Sequence, residues 1–194
     1  MKINYPTKKS ITNNSKSHFF KSQGMVFENE LNISNEYYIK HKIANIHKKP
    51  TPVQVVKVDY PARNKAKIVE AYYKLPSTTD YNGIYREKYI DYEAKETQNS
   101  AFYFKFIHEH QVDHLLNIDD LGGIAFVIIY FKKENEIYII DIKEFYRYYK
   151  DDNYKCITIE MARLIGKSCS IGYTPPIDYL KAVDELYFKQ KENS

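Results

Sequence analysis

The sequence predicts an α/β protein: a mixed central sheet flanked by helices, with one β-hairpin projecting from it. Three features predict it. Ile124–Phe131 is an unbroken apolar run of eight residues, the mark of a central strand buried on both faces. Residues 53–59 with 66–73, and 79–85 with 88–95, read as paired strands rich in β-branched and aromatic residues. Ile177, Leu180, Val183 and Tyr187 recur at helical spacing in the last element.

Taken in order, residues 1–23 are rich in Lys, Ser and Asn and nearly free of apolar periodicity. They predict a disordered basic arm anchored only by Phe19 and Phe20, ahead of a single domain over 24–194. Phe27 and Leu31 fall at i, i+4, and Ser34 is placed to cap a second stretch in which Ile39, Ile43 and Ile46 share a face. This predicts one kinked helix or two short ones, ending before Pro50 and Pro52. The hairpin over about 53–75 turns at Tyr60-Pro61-Ala62-Arg63-Asn64-Lys65, a basic tip with too little apolar matter to pack on a core, so it projects. Residues 105–117 read as a helix offering Phe106, Ile107, Leu115 and Leu116 for burial, stopped by Gly122-Gly123. Residues 136–142 are the hairpin partner of the apolar strand across 132–135. Short helices follow at 143–149 and 158–165, and Pro175-Pro176 sets the start of the helix over 177–188.

Composition excludes several classes. With 194 residues and 43% hydrophobic content, the chain is long enough for one sizeable core and too apolar to be wholly disordered. The longest apolar run has eight residues, far short of the roughly 20 that span a bilayer. Met1–Lys9 leads into no apolar segment of the signal-peptide type, so the expectation is a cytoplasmic, nucleoid-associated protein without membrane contact. Cys156 and Cys169 stand thirteen apart, which is no metal-ligand spacing, and read as reduced thiols. The net charge of +4 hides an uneven distribution. Residues 1–23 hold five lysines and no acid, residues 47–67 hold six bases against Asp59, and residues 68–194 hold 16 bases and 21 acids. The two basic segments are either ordinary solvated stretches or two contacts to a polyanion such as nucleic acid.

The chemistry concentrates in 76–95. Strand alternation puts Asp91, Glu93 and Lys95 on one face and Ile90, Tyr92 and Ala94 on the other. A two-residue turn at Arg86–Glu87 sets Tyr85 opposite Lys88 and carries Asp80 opposite Glu93. Facing Cβ atoms lie only about 4.5–5.5 Å apart, so two carboxylates there repel unless a cation or a proton lies between them. A hard divalent ion such as Mg²⁺ suits oxygen ligands and keeps several waters, with Mn²⁺ as a substitute. Lys95 points into the same space, where it can orient water or meet charge building on a phosphate. This Asp-x12-Glu-x-Lys pattern matches the signature of restriction-endonuclease-like nucleases.

The chain then resembles one family: the RecU Holliday-junction resolvases. The resemblance rests on Gly24-Met25-Val26-Phe27-Glu28, Ala44–Pro52, Pro76–Gly83, Tyr89–Thr97, His108-Glu109-His110-Gln111, Gly122-Gly123-Ile124, Gly172-Tyr173-Thr174-Pro175 and Asp178-Tyr179. It implies a restriction-endonuclease-like fold and a homodimeric, Mg²⁺-dependent endonuclease that nicks four-way and branched DNA symmetrically. On the family pattern Asp80 and Glu93 are metal ligands completed by Thr78 and Gln111, and Lys95 stabilises the transition state. The hairpin corresponds to the family's junction-filling stalk, with Arg63 near its tip and Lys57, Lys65 and Lys67 beside it as DNA contacts. Recombinase or branch-migration proteins are further expected partners.

Other readings stay open. The chain could be a junction-binding or strand-annealing accessory protein, or a general double-strand nuclease of the same superfamily. His110 and His114, at i, i+4 on a helix, could present two imidazoles to zinc, although Gln111 stands where a zinc hydrolase helix has Glu. Asp91 reads as a surface or supporting acid, and Glu28 as a solvated helix residue or a water-mediated neighbour of the metal. Tyr146, Tyr148 and Tyr149 read as packing residues rather than base-stacking ones.

Overall fold

The computed structural model describes residues 26–62, 65–73 and 78–189. Its elements run α1 (Val26–Lys40), β1 (Asn45–Lys48), β2 (Val53–Asp59), β3 (Lys67–Tyr73), β4 (Tyr81–Tyr85), β5 (Lys88–Thr97) and β6 (Ala101–Tyr103). A 3₁₀ turn (Phe104–Phe106), α2 (Glu109–Asp120), β7 (Ile124–Phe131), β8 (Glu136–Asp141), α3 (Ile142–Tyr149), β9 (Cys156–Thr158) and α4 (Ile159–Ile165) follow. The chain closes with β10 (Lys167–Ser168), β11 (Ser170–Ile171), β12 (Ile177–Asp178) and α5 (Tyr179–Tyr187).

Six strands form one mixed sheet in the order β1-β4-β5-β7-β8-β10. Only β5 and β7 pair in parallel, Glu93 beside Val127, and the chain crosses between them through α2. The expected central strand is β7. Its alternate residues Ile124, Phe126 and Ile128 pack into one core with Leu31 and Tyr38 of α1 and Leu180 and Val183 of α5. Ala125, Val127, Ile129 and Phe131 pack into a second core with Val112 and Leu115 of α2 and Phe145 of α3. Burying each large apolar side chain stabilises the fold by about 1.5–3 kcal/mol, which is why this run dictates the architecture.

Several expectations shift by local physics. The first helix runs unbroken through Ser34. That hydroxyl does not cap; it donates to Glu30 O at 2.8 Å and accepts from Ile177 N–H at 3.0 Å. The buried face is therefore Phe27, Leu31, Ser34, Asn35 and Tyr38, while Ile43 is 43% exposed. The helix stops at Lys40, and Lys42 adopts a φ of 56°. Ile46 lies in the edge strand β1 instead of on a helix, paired with Gly83. A Cβ on Gly83 would stand 2.0 Å from Asn45 O, so only glycine lets β1 close on β4. The helix expected over 105–117 begins at Glu109, because Gln111 and His108 form a capping box there. Phe106, offered for burial, stays 59% exposed on the preceding turn. The last helix starts at Tyr179, after β12, rather than at Ile177.

The hairpin β2–β3 makes a two-stranded sheet of its own, in which Val56, Ile68 and Val69 remain more than half exposed. It projects as expected. Arg63 and the arm 1–23 lie outside the described residues.

Candidate functional site

The turn between β4 and β5 sets the register of the site. Arg86 and Glu87 have φ of 45° and 65°, the left-handed geometry of a tight hairpin turn, normally supplied by Asn-Gly or Gly. Arg86 holds it from outside: its guanidinium donates to Asp184 at 2.9 Å and lies 5.0 Å from the Phe188 ring centre. Tyr85 therefore faces Lys88 and Tyr81 faces Tyr92. One step further along the same register, Asp80 comes opposite Glu93, and its Oδ2 accepts from Ala94 N–H at 3.0 Å.

Glu93 is 1% exposed. Its Oε1 accepts from Lys95 Nζ at 2.6 Å and from Gln111 Nε2 at 2.7 Å. Its Oε2 is equally buried and has no hydrogen-bond partner. Burial pushes the Glu93 carboxyl up to about 7, and the neighbouring Asp80 charge adds to the push, while Lys95 and Gln111 oppose it. A buried carboxylate oxygen without a donor among the described residues, next to a second carboxylate, favours a proton or a cation beside it. Among the described residues no group of three or more His, Cys, Asp or Glu converges on one point. The donor set is thus two carboxylates, which suits a hard divalent ion that retains waters and takes phosphate oxygens, as Mg²⁺ does.

The remaining residues expected at the site take specific places. Gln111 reaches Glu93 with its amide nitrogen, because its Oε1 accepts from His108 N–H at 3.1 Å. Thr78 is exposed, with its hydroxyl 3.2 Å from Lys49 Nζ. Lys57, Lys65 and Lys67 are exposed on the hairpin. Glu28 pairs with Lys48. The two histidines diverge: His114 contacts Asp91 at 3.1 Å, and the His110 ring lies 5.4 Å from that of His108.

Two residues are sharpened by the structure. Asp91 is fully buried, which excludes the surface reading and leaves that of a supporting acid. Lys49, counted among the basic segment's polyanion contacts, turns inward and binds Asp91 at 2.7 Å. The alternation that put Asp91 on the Glu93 face carried a signal for this. A face covered by a helix has no water for a carboxylate, so a cation had to be supplied by the chain. Tyr146 and Tyr149 pack against the second core, as expected.

The sequence profile of Recombination protein U matches residues 22–185. The chain belongs to the RecU family. It is 47% identical over 199 residues to the Holliday junction resolvase RecU of Bacillus thuringiensis (strain Al Hakam), covering 97% of this chain and 100% of that protein. The corresponding proteins of Bacillus cereus (strain AH820) and Bacillus anthracis (strain A0248) match with the same identity and coverage. Among solved structures, Archaeoglobus fulgidus Hjc, a Holliday junction resolvase, is similar with a TM-score of 0.44 at 12% identity, over 74% of this chain and 93% of that one. The RecU match spans the two carboxylate strands, the hairpin and α2 together.

Proposed function

We propose that this chain is a divalent-metal-dependent endonuclease that resolves four-way DNA junctions by paired phosphodiester hydrolysis, with Mg²⁺ as the ion and Mn²⁺ as a substitute. The observation that carries the reading is the Asp80–Glu93 pair. Two carboxylates face each other across one hairpin, one oxygen is buried without a donor, and Lys95 follows on the same face, in a chain 47% identical to proteins named Holliday junction resolvase RecU.

Asp80 and Glu93 would hold the ion, which when bound would supply Lewis acidity to a phosphate oxygen and a more acidic water. Asp80 is kept in place by the Ala94 amide. Gln111 and Lys95 hold Glu93 by Oε1, leaving Oε2 as the oxygen without a donor, and Gln111 contributes its own oxygen as a ligand only by releasing the His108 amide. Thr78, two residues before Asp80, is exposed with its hydroxyl accepting from Lys49, and on the family resemblance it is a further ligand. Lys95 pairs with Glu93 Oε1 on the same strand face, where its ammonium would offset charge developing on phosphate oxygens. Lys57, Lys65 and Lys67, with Arg63, contact backbone phosphates along the hairpin. A C₂ homodimer presents two such sites to the two symmetry-related strands of a junction.

A synthetic four-way junction and a linear duplex of the same sequence, each incubated with Mg²⁺, test the reading. The expected result is cutting of the junction alone, lost in Asp80→Ala and Glu93→Ala with junction binding retained. Cleavage surviving in both variants sinks the site, and equal cutting of the duplex makes the chain a general nuclease.

A further inference from the structure

Lys49 stands at the foot of the projecting hairpin, four residues before β2 begins, and Thr78 and Thr79 lie on its return leg just before β4. The Lys49 ammonium joins these legs. It donates to Thr79 Oγ1 at 2.5 Å and to Thr78 Oγ1 at 3.2 Å. It also pairs with Asp91 Oδ2 at 2.7 Å and lies 3.4 Å from His114 Nε2. Asp91 is fully buried and takes further bonds from the Thr79 hydroxyl and from Tyr89 OH at 3.1 Å. The Lys49 main chain takes part too, its N–H donating to Asp80 O at 2.7 Å. One residue thus grips Asp80 by the backbone and its neighbour Thr79 by the side chain. It anchors both to Asp91, two residues before Glu93 on the same strand face.

We propose that Lys49, acting through Asp91 and Thr79, is a positioning residue that holds Asp80 against Glu93 and ties the hairpin's foot to the same frame. The inference rests on the metal-dependent reading of that pair. Lys49 is poorly suited to being a phosphate contact, because its side chain is only 14% exposed and its ammonium is surrounded by oxygens of this chain. Stability alone is also a weak reason for such a pair, since buried ion pairs are often replaced by apolar groups at no loss. What a satisfied buried polar network supplies is one arrangement of the segments it joins. Here those segments carry the two carboxylates.

The test uses the full chain with Lys49→Met, and Lys49→Met/Asp91→Asn, which removes both charges and leaves no buried carboxylate unpaired. Hydrogen exchange is followed in metal-free protein, Mn²⁺ binding by calorimetry, junction binding in EDTA across a salt series, and single-turnover cleavage in Mg²⁺. In both variants the Lys49 amide is expected to exchange at least ~10-fold faster while Ile124–Phe131 is unchanged. Mn²⁺ affinity and cleavage rate are expected to fall about 10–100-fold, the range for groups that orient metal ligands, with junction affinity kept within about two-fold. The double variant keeps the test decisive should the single one fail to fold. Unchanged exchange and Mn²⁺ affinity overturn the proposal. So does junction binding that weakens with a salt slope lower by about 1, which marks Lys49 as a phosphate contact. A wild-type chain that cuts no junction removes the functional reading instead, and the exchange data then decide the Lys49 contact by themselves.

Discussion

The Asp80 carboxylate is tied to the main chain of Ala94, the residue between Glu93 and Lys95: Oδ2 accepts from the Ala94 amide at 3.0 Å. A hairpin partner thereby reads the position of the opposite strand through its side chain, and the two acids cannot drift apart without breaking that bond. Asp80→Asn keeps an acceptor for Ala94 while deleting the charge. It is expected to fold and bind junction DNA normally, to bind Mn²⁺ weakly, and to slow single-turnover cleavage on the order of 10²–10³-fold, the scale of losing one charge-stabilising group. A rate within about three-fold of wild type refutes the role.

Burial of Glu93 makes stability depend on pH, and the metal role proposed for it makes metal binding depend on pH as well. In metal-free protein its carboxyl holds a proton up to about 7, whereas the unfolded chain releases it near 4.5. Its folded pKa is raised, so its contribution is fully present below 4.5 and is lost as pH climbs through 7. The loss approaches about 3 kcal/mol by pH 8, at about 1.4 kcal/mol per pKa unit. On the proposed function a divalent ion offsets it by taking the proton's place. Melting curves with and without Mg²⁺ should therefore show a metal-induced rise in Tm several degrees larger at pH 8 than at pH 5.5. Equal rises at the two values contradict this account of Glu93.

The proposed phosphate contacts of the hairpin lysines predict a salt dependence. Lys57, Lys65 and Lys67 are exposed on an element with no core of its own. Changing all three to Ala should lower the slope of log affinity against log salt by about 2–3 per engaged hairpin, at roughly 0.9 per phosphate contact. Fluorescence anisotropy with a labelled junction measures it. A slope that does not move places the DNA elsewhere on the molecule.

The β4–β5 turn offers a stabilising change. Glu87 sits at a φ of 65° and no hydrogen bond or ion pair to the described residues holds its side chain there, unlike Arg86 with its Asp184 partner. Glu87→Gly removes the left-handed strain, worth about 1 kcal/mol and so a Tm higher by about 2–4 °C, with cleavage unchanged. A lower Tm shows that the extra freedom of glycine in the unfolded chain outweighs the strain.

Much of the fold was legible locally. The eight apolar residues of Ile124–Phe131 had to be a central strand, and the two-residue turn at Arg86–Glu87 was enough to bring Asp80 opposite Glu93. The hairpin's poverty in buried apolar surface announced that it projects. Residues 26–48 were less legible. Whether Ser34 ends a helix depends on the Ile177 amide, 143 residues away, and whether Ile46 is helical or extended depends on the open space over Gly83.

At the site the division has the same cause. Periodicity and turn geometry act between neighbours, so the sequence by itself determined the two facing carboxylates, the lysine that follows them and the strand face they share. Nothing local says which way a lysine points. Lys49 lies in a basic run that reads as a DNA contact, and only the approach of Asp91, 42 residues on, turns it inward. The Gln111 amide meets Glu93 only because α2 packs on β5, and Asp91 is buried because α2 covers that same face. These contacts join elements far apart in sequence, where desolvation leaves a charge no water to turn to. Its partner is decided by whichever group the tertiary structure brings within about 3 Å.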